Sequence, residues 1–251
     1  MRSLCILIAV LGSLEARAAA CLARSGTQTA ALVELYTSEG CSSCPPADRW
    51  LSSLAKAYPP ERVVPLALHV DYWDYIGWKD PFARREFSQR QRRLSQLQRA
   101  SFVYTPQVLM QGRDFRAWGQ PEFDRALARI NARPARASLE LQILGTSPEA
   151  LQLRLQAQVS DPAERETASV YVAAYESRLE SRVSAGENRG RLLSHDYVVL
   201  EWQGPYGLGE RKLKVKLLPK AAPADSGVVA FVQDRSSAEV LQALQLGACL
   251  P

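Results

Sequence analysis

Two cysteines, Cys41 and Cys44, follow an apolar run at residues 31–36 after four intervening residues and directly precede Pro45 and Pro46. The apolar run is typical of a buried strand. Proline lacks an N–H group and is best tolerated in the first turn of a helix, so the prolines predict that a helix begins at residue 45. A residue before proline avoids the helical backbone region, which places Cys44 at or near the N-cap. The dithiol therefore lies where a strand passes into a helix.

This placement gives the two cysteines a defined chemistry. Cysteines separated by two residues can close a small disulfide, and the free N–H groups and dipole of a helix N-terminus favour a thiolate. We expect Cys41, just outside the helix, to be the more exposed and more readily ionised sulfur, which attacks a substrate disulfide. Cys44 would then resolve the mixed disulfide. The pair predicts thiol–disulfide exchange.

The first 20 residues predict a cleaved secretory signal. After Arg2 comes an apolar run at residues 4–11, and three alanines at residues 18–20 suit the specificity of signal peptidase. The run is shorter than the roughly 20 residues that span a bilayer, and no later segment is long enough to do so. We therefore expect an exported protein, periplasmic or extracellular, without a transmembrane segment.

Export leaves four of the five cysteines, because Cys5 is lost with the signal. The pair at the helix junction accounts for two of them. Cys21 and Cys249 stand at the two ends of the mature chain and are a candidate structural disulfide, since domain termini often lie close together. The alternative is that Cys21 is acylated as the first residue of a lipoprotein. Ala18 disfavours acylation, because lipoprotein signals usually carry a leucine-like residue at that place.

The charge and motif content restrict the classes of partner. A net charge of +5 over 251 residues is too small an excess to indicate a nucleic-acid partner. The arginines within residues 84–99 alternate with glutamines, which favours a solvated helix face over a binding patch. No serine nucleophile signature, phosphate loop or dinucleotide fingerprint appears, and we expect no cofactor. The expected partners are proteins or small molecules that carry thiols or disulfides.

A change of hydrophobic period near residue 134 predicts two domains. Before it, apolar runs of strand length alternate with helical stretches, which indicates α/β organisation over residues 21–134. After it the period is two almost throughout, so residues 135–251 are predicted to form an antiparallel β-sandwich or barrel, with residues 133–136 as the linker. The elements predicted for the first domain are strand 31–37, helix 45–57, strand 63–70, helix 82–100, strands 107–111 and 114–118, and helix 121–132.

These elements follow the order of the thioredoxin fold, and residues 31–132 resemble the thioredoxin superfamily. The chain also resembles one family of secreted bacterial thioredoxin-like proteins, catalogued as a domain of unknown function. The segments that carry this resemblance are residues 33–48, 69–74, 105–107 and 186–191. The resemblance implies a thioredoxin-like fold, an exported location and a redox site, but no settled substrate. No tryptophan precedes the first cysteine and no proline separates the pair, so a reduction potential cannot be carried over.

The resemblance also assigns residues around the dithiol. In the thioredoxin fold a cis-proline preceded by a small polar residue faces the two cysteines, and Pro106 with Thr105 stands at that place. We expect Pro106 to act together with the dithiol. Thr105 and Tyr104 would align the substrate. Trp73 belongs to an aromatic loop that either covers the core or walls a substrate groove.

Glu34 lies on a predicted central strand, where a carboxylate is costly unless it has a partner or a task. By resemblance to the buried acid of thioredoxins it would lie beneath the dithiol and relay a proton to Cys44. The equally weighted alternative is a structural role, in which Glu34 is hydrogen-bonded or paired with an arginine. The polar segment at residues 186–191 is predicted to dock on the first domain, through Arg189 or Arg191 on an aspartate, or to contact a partner.

Three functions stay open at this point. The leading hypothesis is an exported thiol–disulfide oxidoreductase. The second is a metal-handling protein in which Cys41, Cys44 and His69 bind copper(I) or zinc, although the further cysteine pair of a structural zinc site is missing. The third is a redox-inert adaptor whose disulfide only staples the loop. The substrate, the direction of electron flow and the oligomeric state do not follow from the sequence.

Overall fold

The computed structural model describes residues 21–147, 149–216 and 225–247. The predicted signal peptide at residues 1–20 and Cys249 lie outside this part of the chain. No helix within it combines the length and apolar character needed to cross a membrane.

The elements of the first half form close to their predicted positions. Helix α1 begins at Pro45, because the two prolines occupy its first turn, and it ends at the predicted residue. The second helix is shorter than predicted, because Arg84 is extended and Arg99 has a left-handed backbone conformation. The strand predicted at residues 114–118 forms only at Arg113–Asp114, because the chain turns after Asp114. Strand β1 and a 3₁₀ helix were not predicted. The elements are β1 Leu22–Arg24, β2 Ala31–Thr37, α1 Pro45–Ala57, β3 Val63–His69, the 3₁₀ helix Asp71–Ile76, α2 Arg85–Leu97, β4 Gln107–Met110, β5 Arg113–Asp114 and α3 Pro121–Asn131.

The second half consists almost entirely of strands, as its alternating pattern predicts. One short helix interrupts them. The elements are β6 Ala137–Ser147, β7 Ala150–Val159, α4 Pro162–Arg165, β8 Ala168–Glu176, β9 Leu179–Arg182, β10 Leu192–His195, β11 Val198–Tyr206, β12 Gly209–Lys216, β13 Ser226–Asp234 and β14 Val240–Gly247.

One eight-stranded sheet takes strands from both halves, in the order β14-β13-β8-β11-β3-β2-β4-β5. Strands β2 and β3 are parallel, and β11 joins β3 in parallel through Val198 and Ala67. The other pairs of this sheet are antiparallel. The two predicted domains therefore share a sheet that crosses the expected boundary at residue 134. Their assignment as a thioredoxin-like domain followed by a β-sandwich stays a prediction.

The side chains of β2 point alternately to the two faces of this sheet, and each face packs against different helices. Val33 and Leu35 contact α1 and α3, whereas Leu32 and Tyr36 lie in the cluster that contains Phe87 of α2. A four-stranded sheet, β1-β6-β7-β12, packs its inner face on β8, β13 and β14 in a third apolar cluster. The ends of β2 and β3 and the start of α1 meet at one edge, where the cysteines lie.

Candidate functional site

Cys41 and Cys44 form a disulfide at the start of α1, with their Cα atoms 5.5 Å apart. Cys44 is the N-cap of the helix, as predicted, but its backbone is helical, with φ −76° and ψ −39°, rather than extended as expected before proline. Its carbonyl accepts hydrogen bonds from the N–H groups of Ala47 at 2.9 Å and Asp48 at 3.1 Å. The Sγ atom of Cys41 lies 3.3 Å from the hydroxyl of Ser43. The sulfurs are thus held beside a helix N-terminus, where a thiolate is stabilised.

Cys41 is predicted to be the more exposed of the two sulfurs, but both cysteines are buried. Cys41 is 1% exposed and Cys44 is fully buried, whereas Ser42 and Ser43 between them face solvent. Helix geometry alone would have left the first cysteine open, because it precedes the helix. Segments distant in the sequence close over it.

One of these segments is the loop at residues 186–191, hereafter the 186–191 loop. The amide of Asn188, which is fully buried, donates to the carbonyl of Glu39 at 2.8 Å and to that of Cys41 at 2.9 Å. The carboxylate of Glu187 accepts from the N–H of Ser42 at 2.9 Å. The loop docks on the first half of the chain, as predicted, but through Asn188 and Glu187 rather than through Arg189 or Arg191 on an aspartate.

The 3₁₀ helix lies between this loop and the residue before the first cysteine. A Cβ atom added at Gly40 would lie 3.1 Å from Cβ of Trp73 and 3.3 Å from Cδ1 of Ile76. One added at Gly186 would lie 3.0 Å from the same Ile76 atom. The two glycines thus let the 3₁₀ helix approach both the disulfide segment and the 186–191 loop.

Glu39 connects these segments through a fully buried side chain. One carboxylate oxygen accepts from Nε1 of Trp78 at 2.8 Å, and the other lies 3.0 Å from Nε2 of His195. Its N–H donates to Asp80 at 2.8 Å. The residue two places before Cys41 is therefore fixed from the 3₁₀ region and from β10.

Both histidines of the chain lie buried in one polar cluster next to these residues. Nδ1 of His69 is 2.7 Å from Asp80, and the His69 and His195 rings meet edge to face with their centroids 4.9 Å apart. Four buried atoms of the cluster have no hydrogen-bond partner among the described residues. They are Oγ1 of Thr37, Oδ1 of Asp48, Nε2 of His69 and Nδ1 of His195.

The protonation equilibria of the cluster are shifted by burial and by its charges. Burial disfavours the charged form of His69, but the Asp80 carboxylate outweighs it, helped by Asp48 and Glu39, and the pKa of His69 is raised. Burial likewise opposes ionisation of Asp80, but His69 and two backbone N–H groups hold the pKa of Asp80 below its usual value. Burial raises the pKa of Asp48 despite the nearby histidines. The ion pair of His69 and Asp80 therefore lies near Asp48, a carboxyl group that ionises less readily than an exposed aspartate.

The loop before β4 lies beside the 3₁₀ helix. The Thr105–Pro106 peptide bond is cis, as predicted. Nε1 of Trp73 donates to the hydroxyl of Thr105 at 2.7 Å, so Trp73 links this loop to Gly40. Tyr104 donates its hydroxyl to Asp114 at 2.8 Å, and burial, reinforced by this contact, raises its pKa to about 12. The structure brings Thr105 and Trp73 together on the flank of the disulfide.

Glu34 lies on the opposite face of the sheet from α1. Its carboxylate accepts from Nε of Arg90 at 2.7 Å and from Nη2 at 3.2 Å. The Arg90 guanidinium lies over the Trp202 ring, 4.6 Å from its centroid. Side chains along β2 alternate between the two faces of the sheet, and the side chain of Glu34 points toward α2. Glu34 therefore pairs with an arginine, which is the structural alternative. Because of this pairing, Arg90 is not part of the solvated helix face that is predicted for the arginines of residues 84–99.

Two other predictions concern the cysteines. Because Cys249 lies outside the described residues, the bridge between Cys21 and Cys249 stays a prediction. Among the residues that the structure describes, no group of three or more histidine, cysteine, aspartate or glutamate side chains is arranged to hold a metal ion. The metal-handling alternative likewise stays a prediction.

Sequence reasoning missed Asp48, Glu39 and His195 as parts of one site. The signal for Asp48 was available, since it stands four residues after Cys44 and so shares a face of α1 with it. No sequence signal joined His195 to Glu39, because 156 positions separate them.

Comparisons with known proteins place this chain in a family. A family model described as a protein of unknown function (DUF1223) matches residues 32–233. The chain belongs to the DUF1223 family. None of the curated proteins compared with it matches. The resemblance to a family of unknown function agrees with this membership, and the thioredoxin-like character stays a prediction.

Two solved structures share the overall fold of this DUF1223 chain. Protein AGR_C_4864 from Agrobacterium tumefaciens is 22% identical, with a TM-score of 0.63 over 90% of this chain and 98% of its own. HBP35 of Porphyromonas gingivalis is 16% identical, with a TM-score of 0.65 over 88% of this chain and 76% of its own. At these identities the likeness establishes a fold and carries no activity.

Proposed function

We propose that this chain is an exported thiol–disulfide oxidoreductase with a thioredoxin-like first half, which exchanges disulfides with protein or small thiol substrates. The observation that carries the proposal is the Cys41–Cys44 disulfide at the N-terminus of α1, with Cys44 as the N-cap. The order β3-β2-β4-β5, flanked by α1 and α3 on one face and α2 on the other, supports the thioredoxin-like assignment.

In the reducing direction the dithiol form acts on a substrate disulfide. The Cys41 thiolate attacks one substrate sulfur, a Cys41–substrate disulfide forms, and the other substrate sulfur leaves as a thiol. Cys44 then loses its proton and attacks Cys41, which restores the Cys41–Cys44 disulfide and releases the second substrate thiol. In the oxidising direction the same steps run backwards. The helix N-terminus and the Ser43 hydroxyl stabilise the Cys41 thiolate.

Exchange requires access to a sulfur that is buried in the closed structure. The 186–191 loop holds the carbonyl of Cys41 and the N–H of Ser42 by hydrogen bonds that water can replace when the loop opens. The substrate would then lie along the Thr105–Pro106 loop, beside Trp73.

The predicted export rests on the pattern of residues 1–20, and an intact disulfide agrees with an oxidising compartment.

The test is the equilibrium reduction potential of the Cys41–Cys44 pair, measured by glutathione titration, together with trapping by Cys44→Ser. We expect a potential between about −270 and −120 mV and accumulation of mixed disulfides on Cys41 in the variant. Cys41→Ser is the matched control and should trap nothing. Absence of trapped substrate together with a potential outside that range would contradict the proposal.

A second candidate function is favoured by the burial of both sulfurs. In that case the disulfide staples the loop before α1, and the protein acts as a redox-inert adaptor. A potential below about −300 mV, and a bridge that resists dithiothreitol in the folded protein, would support this candidate.

A further inference from the structure

Asp48 has an unusual position for a carboxylate in the first turn of a helix. Such a group ordinarily faces solvent, where it complements the helix dipole. Asp48 is instead only 7% exposed and points into the sheet. It lies one helical turn beyond Cys44, and its N–H donates to the Cys44 carbonyl at 3.1 Å. The two side chains therefore lie next to each other on the buried face of α1.

The surroundings of Asp48 leave it able to exchange a proton. Its Oδ1 atom has no hydrogen-bond partner among the described residues, and the same holds for the hydroxyl of Thr37. The nearby histidines and Thr37 favour the ionised carboxylate, but burial outweighs them, so a carboxylate at this position is costly. It faces His69 from β3 and His195 from β10, and each ring presents a nitrogen that is also unpartnered.

The remaining charges are arranged behind these two rings. Asp80 contacts Nδ1 of His69, and Glu39 contacts Nε2 of His195. These contacts fix the orientation of both rings, whose charges act on Asp48. Burial raises the pKa of Asp48, which moves it toward the range where a carboxylate can both accept and return a proton.

We propose that Asp48 takes the proton of the Cys44 thiol when Cys44 attacks the mixed disulfide, and that His69 and His195 act as positioning residues behind it. This inference rests on the proposed function, because it assigns a proton to one step of the exchange. The S–H bond of Cys44 breaks, the Cys41–Cys44 bond forms, and the substrate leaves as a thiolate. That thiolate receives the proton from Asp48. In the reverse direction Asp48 protonates Cys44 as it leaves.

The experiment separates the two thiol steps with 5,5′-dithiobis(2-nitrobenzoate) as the disulfide substrate. Reduced protein should react in two phases, namely attack by Cys41 and then loss of the Cys41 adduct as Cys44 resolves it. The second phase is followed after acid quench by mass spectrometry between pH 5 and 9. For Asp48→Asn we expect the first phase to stay near the wild-type rate and the second to slow about 100-fold near pH 7. The Asn variant should also lose the acidic inflection in its pH profile.

Two further variants control for an indirect effect. Asp48→Glu keeps the carboxylate and should recover part of the second phase. Glu122→Gln removes a first-turn carboxylate from α3, where it is partly exposed and pairs with Arg125, and should change neither phase. His69→Gln should shift the pH profile of the second phase without abolishing it.

The possible results distinguish this inference from the function on which it rests. Absence of both phases in the wild type would overturn the proposed function and this inference together. Two normal phases with an unchanged second phase in Asp48→Asn would overturn the inference alone. If Asp48→Asn does not fold, the wild-type profile decides. A second phase with a single inflection near the pKa of a free thiol, about 8.5, would mean that Asp48 takes no proton.

Discussion

Replacing Asn188 by alanine should loosen the loop that closes over the disulfide. The change removes the two hydrogen bonds to the carbonyls of Glu39 and Cys41, as well as the bond that Arg191 donates to Oδ1 at 2.8 Å. Asn188 is fully buried, so in the closed state no solvent replaces its amide. The carbonyl of Glu39 would lose the Asn188 partner, and that of Cys41 would keep only the N–H of Cys44 at 3.2 Å.

The size of the effect follows from those two carbonyls. A buried polar group left unsatisfied costs about 1–3 kcal/mol, and loss of one of two hydrogen bonds costs about 0.5–1.5 kcal/mol. Because the loop can open and let water reach the carbonyls, we take the lower half of each range and expect the closed state to lose about 1.5–3 kcal/mol. At 1.4 kcal/mol per factor of ten, the open population rises roughly 10- to 150-fold. Reduction of the disulfide through the open state should accelerate by the same factor until the open state dominates.

The assay is the rate of reduction of the Cys41–Cys44 disulfide by dithiothreitol in native buffer, read by acid quench, alkylation and mass spectrometry. Gln242→Ala is the matched control. Gln242 is also fully buried, and its side chain bonds to backbone groups of Gly26, Gln28 and Ala30. It should lower the free energy of unfolding by a comparable amount while leaving the rate of reduction near the wild-type value.

Two results would refute the reasoning. A folded Asn188→Ala protein whose disulfide is reduced at the wild-type rate would mean that the 186–191 loop does not limit access. Equal acceleration in Gln242→Ala would mean that reduction proceeds through global unfolding, and the loop would then be one stabilising contact among many.

Three further expectations concern stability. Arg90→Ala leaves Glu34 as an unpaired buried charge, so the free energy of unfolding in guanidinium chloride should fall by about 3–5 kcal/mol, and a loss below 1 kcal/mol would contradict the pairing. Gly112→Ala should destabilise strongly, because its φ is +77° and the new methyl group would overlap a backbone carbonyl, and an unchanged melting temperature would refute this. The pair of His69 and Asp80 should stabilise most between about pH 4 and 6.5, because the raised histidine pKa and the lowered aspartate pKa bracket that window. The stability contribution is lost as the pH rises through the folded pKa of the histidine, so Asp80→Asn should cost more at pH 5 than at pH 8.5, and an equal cost at both would contradict the assignment.

The local features of the site were accessible from the sequence. Pro45 and Pro46 set the start of α1, and with it the N-cap position of Cys44, because proline fixes its own φ and has no N–H group to bond within the helix. The period-two pattern located most strands of the second half for a similar reason, since alternation of side chains is a property of the strand itself.

The partners of buried charges were not accessible. Glu34 had two readings of equal weight, and only the register of β2 and its packing against α2 selected Arg90. The joining of β11 to β3 depends on how two halves of the chain dock, and the short-range pattern near residue 134 carried no trace of it.

The sequence by itself thus determined where the dithiol lies along the chain and which helix it caps, because those features follow from neighbouring residues. Tertiary structure alone decided that the 186–191 loop covers the disulfide and that His69, His195 and Asp48 share one buried cluster. Their contacts join positions up to 156 residues apart, and such contacts form only when the packing of the whole sheet compensates for the entropy of closing the chain between them.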